Sequence, residues 1–367
     1  MNITQPTLLI DERKCRSNIA RMCEKARRND LIFRPHFKTH QSKKVGEWFR
    51  QEGVEAITVS SLGMATYFAE AGWKEITVAF PVNLLQIDVI NALASHATVN
   101  LLADDRDVIV ELDSMLTYKV HLFIEIDSGG GRTGIPHSDL KRISSMVATV
   151  TAADNINLKG FYTHAGHSYD ARSKDDIRKV FSRTVQCMQE VRQWAESNDL
   201  NVEFCMGDTP GCSVGERFDE IDAISPGNFV FYDVMQTIIG SCADDQIAVA
   251  MACPVVSKNA GSNDVCIYGG AVHFSKDSIE DGQKKIFGMV VRLGSNGWSE
   301  PLEGCFVKSL SQEHGIVHLS AEEFEQTKIG DVLGVLPVHS CLTAEAMGVY
   351  RNFNGELIDH YAQKNRD

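Results

Sequence analysis

The stretch Lys119–Gly134, KVHLFIEIDSGGGRTG, decides between two parallel-sheet folds. Its hydrophobic part, Lys119–Asp127, predicts a strand, and the loop Gly129–Gly134 fits the pattern G-x-G-x-x-G. A dinucleotide-binding site would need a helix that starts inside the glycine run, early in a βαβ unit. Here Pro136 follows the loop at once, and the strand is the fifth of a series. We therefore interpret the loop as part of a barrel rim, where Arg132 would make a polar contact.

Short β-rich runs alternate with helical patterns over the first two-thirds of the chain. The helical stretches, such as Gln41–Glu52 and Asp175–Ser197, carry their apolar residues on one stripe. This alternation predicts a parallel sheet with crossover helices, in the α/β class. Eight strands indicate a closed (β/α)₈ TIM-like barrel, although the weak eighth pattern leaves an open doubly wound sheet as the alternative. The predicted strands are Ile32–Lys38, Ala56–Ser60, Glu75–Phe80, Thr98–Ala103, Lys119–Asp127, Asn157–His164, Asn201–Gly207 and Ile221–Ser225.

The pattern of the chain changes after about residue 245. Strand patterns there are separated by Gly, Asn, Ser and Asp turns, with little helix between them. We predict a barrel domain over residues 10–245 and a mostly β domain over residues 246–367, joined by residues 1–9. The predicted strands of the β domain are Ile247–Val256, Asp264–His273, Ile286–Arg292, Cys305–Ser311 and Asp331–Val338.

The composition of the 367 residues argues against several classes of protein. A hydrophobic share of 43% argues against a disordered chain. A formal net charge of -13 would repel a phosphate backbone, so we expect no nucleic-acid partner. The sequence lacks an apolar run of membrane-helix length and a secretory signal pattern, so we expect no membrane partner. Ten scattered cysteines without a C-x-x-C pair predict reduced thiols and a cytoplasmic protein.

Lys38 ends the first predicted strand, within the segment Arg34–His40, RPHFKTH. The active sites of barrels lie at the C-terminal ends of the strands, so the position predicts a catalytic residue. A lysine there is partly desolvated, which favours the neutral amine and makes it available as a nucleophile. A strand-end lysine in solvent is the alternative, since most lysines lie at the surface.

His339 and Cys341 follow the last predicted strand of the β domain. If the backbone stays extended, residues two apart point to the same face, so the imidazole and the thiolate can converge on one ion. Zinc prefers nitrogen and sulfur ligands, and two protein ligands leave positions open for water and substrate. An accidental His-x-Cys pair is the alternative.

Two loops of the barrel carry the pattern of a phosphate site. The segment Gly207–Gly211, GDTPG, follows the seventh predicted strand, and Ser225–Asn228, SPGN, follows the eighth. Loops in these places bind phosphate in many barrels through backbone amides and a hydroxyl group. Plain turns are the alternative, because Pro-Gly pairs are frequent in turns.

Together these segments resemble the fold-type III pyridoxal phosphate (PLP) enzymes, in which an alanine racemase-like barrel is joined to a β domain. The segments RPHFKTH at Arg34–His40 and HSCLT at His339–Thr343 look like those of the D-serine dehydratase and D-threonine aldolase family. The loop Asp127–Arg132, the strand end Tyr162–His164 and the pair Pro226–Gly227 are similar across the whole fold. The resemblance spans nearly the whole chain.

The resemblance implies a role for each matching residue. Lys38 would hold PLP as a Schiff base, and Arg132 would contact the phenolic oxygen of its ring. Tyr162 and His164 would line the ring. Relatives with this fold are head-to-tail dimers, so a homodimer is implied. The remaining implied ligands are Thr209, with the amides of Gly227 and Asn228, for the phosphate, and His339 and Cys341 for zinc.

The resemblance also implies the reaction. Family dehydratases carry His-x-Cys at the metal motif, whereas the aldolases place a carboxylate at the second ligand. Cys341 therefore favours a PLP- and zinc-dependent D-serine dehydratase (a D-serine ammonia-lyase), which turns a β-hydroxy D-amino acid into a keto acid and ammonia. A metal-dependent D-threonine aldolase, or an aldolase for a related D-3-hydroxy amino acid, is the alternative, followed by an amino acid racemase. A zinc hydrolase without PLP and a role in cofactor homeostasis are further alternatives.

Two segments depart from the family pattern. Ser225 stands where alanine racemase has an arginine that contacts the pyridine nitrogen of PLP, and a neutral partner weakens the electron sink. The segment Gly269–Lys276, which contains His273, also differs from the dehydratases. Both departures bear on the choice of substrate, which the sequence leaves open between D-serine, D-threonine and another β-hydroxy D-amino acid.

Overall fold

A computed structural model describes residues 2–282 and 284–364, which form two compact units. The barrel unit comprises Ala20–Lys38 and Gly46–Gly227, and the β unit comprises the described residues of Met1–Ile19, Thr39–Val45 and Asn228–Asp367. Met1, Gln283 and residues 365–367, parts of the predicted β domain, lie outside the described residues. The domain boundary predicted at residue 245 stays a prediction.

The barrel unit contains one sheet of eight parallel strands, with a short extra strand, Ile135–Pro136, beside one of them. A parallel bridge between His36 and Thr58 brings the first strand beside the second, so the barrel is nearly closed. This confirms the predicted (β/α)₈ TIM-like barrel. In spatial order the strands are Ile32–Phe33, Ala223–Ile224, Glu203–Gly207, Ile156–His164, Val120–Asp127, Thr98–Ala103, Glu75–Pro81 and Ala56–Val59.

The first strand is shorter than predicted, because regular pairing stops after Phe33. Pro35 has no N–H to donate, so it interrupts the ladder. The chain nevertheless stays in the barrel wall: the N–H of His36 donates to the carbonyl of Pro226, and the N–H of Phe37 donates to that of Thr58. The prediction of a strand as far as Lys38 was therefore wrong in its length and right in its place.

The glycine loop after the strand Val120–Asp127 starts no helix. The next helix begins at Leu140, capped by the side chain of Asp139. Gly134 has a φ of +96°, and a Cβ there would lie 2.8 Å from the backbone nitrogen of Asp127. Gly134 is therefore required because the loop turns back and packs tightly against the end of the strand. This role of the glycine differs from its role in a dinucleotide-binding fold.

Helices separate most of the barrel strands, as the periodicity predicts. The stretch Asp175–Ser197 corresponds to the helix Lys174–Glu196, which Ser173 caps through the N–H of Asp176. No helix in the described part of the chain is long and apolar enough to cross a membrane. The α-helices are Glu12–Arg28, Lys43–Gln51, Leu62–Glu70, Ile87–Ala94, Arg106–Met115, Leu140–Thr151, Lys174–Glu196, Thr209–Val214, Val234–Ile238, Ala271–Phe274, Ala321–Gln326, Ser340–Met347 and Tyr361–Lys364.

The β unit is built on a nine-stranded, mostly antiparallel sheet. The predicted strand Asp264–His273 is wrong in its second half, where the chain passes through two glycines into the helix Ala271–Phe274. The strand His314–His318 was missed because histidines and a glycine obscure its alternation. In spatial order the strands are Asp264–Tyr268, His314–His318, Phe306–Leu310, Gly288–Val291, Val332–Pro337, Val249–Asn259, Thr7–Ile10, Tyr350–Asn352 and Leu357–Ile358. A separate hairpin pairs Ile279–Asp281 with Lys284–Ile286.

His40 is fully buried in the β unit. Its Nδ1 accepts a hydrogen bond from the N–H of Ser42 at 3.1 Å, so the neutral ring carries its proton on Nε2. Burial lowers the pKa of His40 to about 3; Asp359 opposes this shift and His360 adds to it. The folded protein therefore keeps this imidazole neutral at pH values where an exposed histidine is protonated.

We expect His40 to make the protein sensitive to acid. Unfolded His40 takes up a proton as the pH falls below about 6.5, whereas folded His40 does so only near 3. Between these two pH values the free energy of unfolding decreases as the pH is lowered, by at most about 1.4 kcal/mol per pH unit for this side chain. Urea unfolding at about pH 7 and about pH 5 measures the loss. The variant His40→Asn, which can still accept from Ser42, should lose less stability than wild type. A variant of the exposed His96, His96→Asn, should match wild type, and equal losses in all three proteins would contradict the assignment.

Candidate active site

Lys38 lies in a turn two residues beyond the bridge between His36 and Thr58, at the C-terminal end of the first barrel strand. Its side chain is half-buried, and its backbone N–H donates to Nδ1 of His36 at 3.4 Å. The Pro35 interruption lets the chain leave the wall of the barrel here. The structure thus places Lys38 at a strand end, as predicted, on a short extension instead of within a strand.

Tyr162 and His164 lie on the strand Ile156–His164 and are two residues apart, so their side chains point to the same face. Tyr162 is buried against Phe123, with ring centroids 6.0 Å apart, and burial raises its pKa well above the usual range. The Nδ1–H of His164 donates to the carbonyl of Gly207. The packing of Tyr162 and the hydrogen bond of His164 therefore fix the orientation of both rings.

The pKa of His164 is lowered to about 3. Burial is the main cause, and the positive charges of Lys38 and Arg132 add to it. His164 is therefore a neutral ring at working pH. Because its Nδ1–H is engaged with Gly207, it can line a flat ligand and accept a hydrogen bond at Nε2, and Lys38 and Arg132 supply the positive charge around it.

Three carboxylates hold the loop that carries Arg132. Asp127 accepts from the N–H of Gly129 at 2.8 Å, and Glu125 accepts from the hydroxyl of Thr133 at 2.8 Å. Asp104 accepts from the N–H of Gly134, also at 2.8 Å. The loop is thereby fixed on both sides of Arg132.

Beneath this loop lies a cavity of about 280 Å³. Two buried polar atoms among the residues that line it, Oε2 of Glu125 and Nδ1 of His167, have no hydrogen-bond partner in the described structure. Unpartnered polar atoms around a cavity indicate a ligand or water. The lining residues include Glu125, Asp127, Arg132, Thr133, His164, His167 and Asp170.

Thr209 is fully buried at the start of the short helix Thr209–Val214. Asp208 caps this helix: its carboxylate accepts from the N–H of Gly211 at 2.5 Å and from the hydroxyl of Ser168 at 2.8 Å. Burial raises the pKa of Asp208 to about 6. The loop after the seventh strand is thus ordered by its own side chains, with Thr209 placed by the cap.

Ser225 and Gly227 follow the eighth strand, Ala223–Ile224. Ser225 is buried, and its hydroxyl donates to Oγ1 of Thr58 at 2.7 Å; the Thr58 hydroxyl in turn donates to the carbonyl of Arg34. The residue that replaces the family arginine is therefore a neutral hydroxyl whose proton is already engaged. Gly227 ends the barrel unit at this rim.

The amine, guanidinium, phenol, neutral imidazole and threonine hydroxyl of the barrel unit fit PLP. PLP offers an aldehyde, a phenolic oxygen, a flat ring and a phosphate, which are the partners that these groups bind. The unpartnered atoms around the cavity agree with such a ligand.

The side chains of His339 and Cys341 lie close enough in the β unit for each to shift the pKa of the other. The expected extended backbone was wrong: a helix begins at Ser340, and His339 is its N-cap residue, with φ −131° and ψ 100°. The contact forms because the cap residue is still extended, and the chain turns into the first helical turn after it. His339 and Cys341 are therefore brought together by the start of a helix, whereas the prediction relied on an extended backbone.

Electrostatics favour an ion pair between these two side chains. Burial alone would lower the pKa of His339, but the contact with Cys341 and the charges of Cys341 and Asp233 raise it to about 10. Burial alone would likewise raise the pKa of Cys341, but His339 lowers it. The lowered pKa of Cys341 favours the thiolate, the form that binds metals.

The thiol of Cys341 has further polar contacts that the sequence did not reveal. The hydroxyl of Thr39 lies 3.3 Å from Sγ, and Nδ2 of Asn228 donates to Sγ at 3.5 Å. Buried Asp233 accepts from Nδ2 of Asn228 at 2.7 Å and from the N–H of Ser340 at 3.0 Å. Asn228 was predicted for its backbone amide, whereas the structure gives its side chain to the sulfur. Thr39 stands in the RPHFKTH segment, but no periodicity identifies it as a partner of Cys341.

A nitrogen and a thiolate suit zinc. Among residues 2–282 and 284–364, no group of three or more His, Cys, Asp or Glu side chains could hold a metal ion, so His339 and Cys341 would leave the other positions to water and substrate. The Oδ1 of Asn228, beside the sulfur, is buried without a partner in the same described residues. The pair therefore fits an open metal site.

His273 makes contacts within its own segment and with Glu313. Its Nδ1 accepts from the N–H of Gly270 at 3.1 Å, which caps its own short helix, and its Nε2 lies 3.7 Å from Glu313. The departure at Gly269–Lys276 therefore gives His273 a local structural contact.

Comparison with known families identifies both parts of the chain. Residues 10–233 match the family model described as alanine racemase, N-terminal domain. Residues 248–352 match the model described as putative serine dehydratase domain.

Individual relatives extend over nearly the whole chain. A D-serine dehydratase of Dictyostelium discoideum is 26% identical, covering 97% of this chain and 94% of that protein. A D-threonine aldolase of an Arthrobacter species is 20% identical, covering 92% and 86%. The structure of D-threo-3-hydroxyaspartate dehydratase from Delftia sp. HT23 superposes with a TM-score of 0.90 at 23% identity, covering 98% of both chains. A mutant of the same dehydratase, in a metal-free form, gives a TM-score of 0.91.

Proposed function

The chain belongs to the family with an alanine racemase N-terminal domain, and from this premise we propose that it is a PLP- and zinc-dependent D-serine dehydratase. The contact between His339 and Cys341 carries the proposal, because a thiolate and an imidazole make an open zinc site beside a β domain of the serine dehydratase type. The names of the relatives support a reaction on a β-hydroxy D-amino acid.

The barrel unit would hold the cofactor. Lys38 would bind its aldehyde covalently, Arg132 its phenolic oxygen, and Tyr162 and His164 its ring. When bound, PLP supplies an electron sink for charge at the substrate α-carbon. Because His164 is neutral, it adds no positive charge beside the ring. The phosphate would be held by Thr209 and by the amides of Gly227 and Asn228.

The amine of Lys38 would move the proton. Nζ of Lys38 would act as the general base that removes the α-proton of the substrate. The hydroxyl of Ser225 is engaged with Thr58, so this chain offers no charged partner at the place of the family arginine. Departure of the β-hydroxyl therefore depends on help from elsewhere.

His339 and Cys341 would supply that help by holding the metal. A bound zinc ion supplies a Lewis acid for the departing hydroxyl group. Thr39 and Asn228 keep the sulfur anionic, and Asp233 fixes both Asn228 and the start of the helix at Ser340. A variant of the Delftia dehydratase is described as a metal-free form, which supports the inclusion of a metal in the proposal.

Product analysis tests the proposal. Purified protein incubated with D-serine should release pyruvate and ammonia, and D-threonine should give the corresponding keto acid. A D-threonine aldolase would instead release glycine and acetaldehyde from D-threonine; the aldolase relative favours this as the second candidate. Glycine without any keto acid would overturn the dehydratase proposal.

We expect chelation to abolish the activity and leave the cofactor in place. Removing the metal takes away stabilisation of the leaving group, worth several kcal/mol, so the rate should fall by on the order of 10³-fold. The visible absorbance of bound PLP should persist, and added Zn²⁺ should restore the rate. Full activity after complete metal removal, checked by elemental analysis, would contradict the metal role.

We also propose a cytoplasmic homodimer with a small D-amino acid as its partner. Free thiols at all ten cysteines suit a reducing compartment, and symmetric homodimers are the commonest oligomers. Analytical ultracentrifugation of the holoenzyme measures the oligomeric state.

A further inference from the structure

Asp277 holds the ring of His339 from the side of Nδ1. Its Oδ2 lies 2.6 Å from Nδ1, within the range of a charge-assisted hydrogen bond. Both side chains belong to the β unit and are partly exposed, 40% for Asp277 and 35% for His339. Because the carboxylate can only accept, it fixes the proton of the ring on Nδ1 and leaves Nε2 as the other available nitrogen.

The backbone before Asp277 is built to present it. Ser275 has a φ of +73° and a ψ of −176°, a region that side chains other than glycine rarely adopt. Its hydroxyl accepts from the N–H of Asp277 at 3.3 Å, and its own N–H donates to the carbonyl of Ala271. A strained conformation of this kind persists only when its surroundings determine it.

A second contact ties this segment to the helix of the metal motif. The hydroxyl of Thr343 lies 3.1 Å from the carbonyl of Phe274, and equally close to the carbonyl of His339. Thr343 thus links the residue before Ser275 with the helix that His339 caps. The segment Gly269–Lys276 is therefore followed directly by a carboxylate, Asp277, that is fixed against the imidazole.

We propose that Asp277 is a positioning residue that orients His339 so that Nε2 binds the metal ion. A carboxylate on the far nitrogen fixes the tautomer and the ring orientation and makes the ligand more basic, and its loss typically costs 10- to 100-fold in metal affinity. The inference rests on the proposed function, since it requires His339 to be a metal ligand.

Titration of the metal-free, PLP-loaded protein tests the inference. Co²⁺ is added in competition with a chromophoric chelator, and the thiolate-to-cobalt absorption band reports Cys341 as a ligand. Asp277→Ala should weaken Co²⁺ binding by about 10- to 100-fold. Asp277→Asn keeps an acceptor oxygen without the charge and should fall between the alanine variant and wild type. The same order should hold for Zn²⁺ affinity.

Glu313→Gln is the matched control, because Glu313 faces His273 at 3.7 Å within the same unit and is not among the described hydrogen-bond partners of His339 or Cys341. This variant should bind Co²⁺ like wild type. Equal affinity of wild type and both Asp277 variants, with the thiolate band present in all, would overturn the inference and leave the proposed function standing. A wild-type protein that shows no thiolate band would instead refute the metal site itself.

Discussion

Lys38→Ala should abolish both covalent cofactor binding and turnover. Its Nζ is the proposed attachment point for PLP and the proposed base for the α-proton, so one substitution removes two functions. Loss of a general base alone typically costs 10²- to 10⁴-fold, and we expect about 10⁴-fold or more here. Borohydride reduction followed by peptide mass spectrometry measures the attachment: the wild-type peptide containing Lys38 should gain the reduced cofactor, and the variant should not.

Lys141→Ala is the control for this experiment. Lys141 is an exposed residue of the helix Leu140–Thr151 that does not line the cavity beside Arg132, and its variant should keep the reduced cofactor and the full rate. Two results would contradict the assignment. A reduced adduct on another lysine of the wild-type protein would relocate the cofactor, and a Lys38→Ala variant that retains activity would remove the lysine from the reaction.

The barrel could be predicted because its strands are continuous apolar runs in a repeated pattern. Val120–Asp127 and Thr98–Ala103 were predicted within one residue, since buried parallel strands leave a strong local signal. The first strand was overextended because Pro35 breaks the ladder while the chain continues along the wall. In the β unit, the predicted strand Asp264–His273 was also too long for a local reason. Two glycines end the pairing after Tyr268, and a short helix follows.

The candidate site was less predictable than the fold. The sequence names His339 and Cys341, but their polar partners come from distant parts of the chain: Thr39 from the turn after the first barrel strand, and Asp277 from the segment after a short helix. Such contacts are set by tertiary packing and leave no periodic trace. Asp233 is similar, because locally it is only the cap of the helix Val234–Ile238. In a single sequence, an aspartate that caps a helix and one that also supports Asn228 look alike.

The thiolate is the feature of the β unit on which the proposed reaction depends most. Cys341→Ala removes one of two protein ligands and leaves His339 to hold a metal alone. We expect the metal content to fall to background and the rate to fall by on the order of 10³-fold, because the leaving group loses its Lewis acid. Elemental analysis and the pyruvate assay measure the two effects, and PLP binding should be retained because Lys38 is untouched.

Cys266→Ala separates the metal role of Cys341 from a general effect of losing a thiol. Cys266 is a half-buried cysteine in the strand Asp264–Tyr268 of the same unit, and its sulfur donates to the carbonyl of Ile267. This variant should keep both metal and activity. If Cys341→Ala also keeps its metal, the ion is bound elsewhere. Cys341→Ala could instead lose the metal and still eliminate water from D-serine at the wild-type rate. In that case the neutral hydroxyl of Ser225 and the amine of Lys38 suffice for the reaction, and the dependence on a Lewis acid that was argued from the missing arginine is wrong.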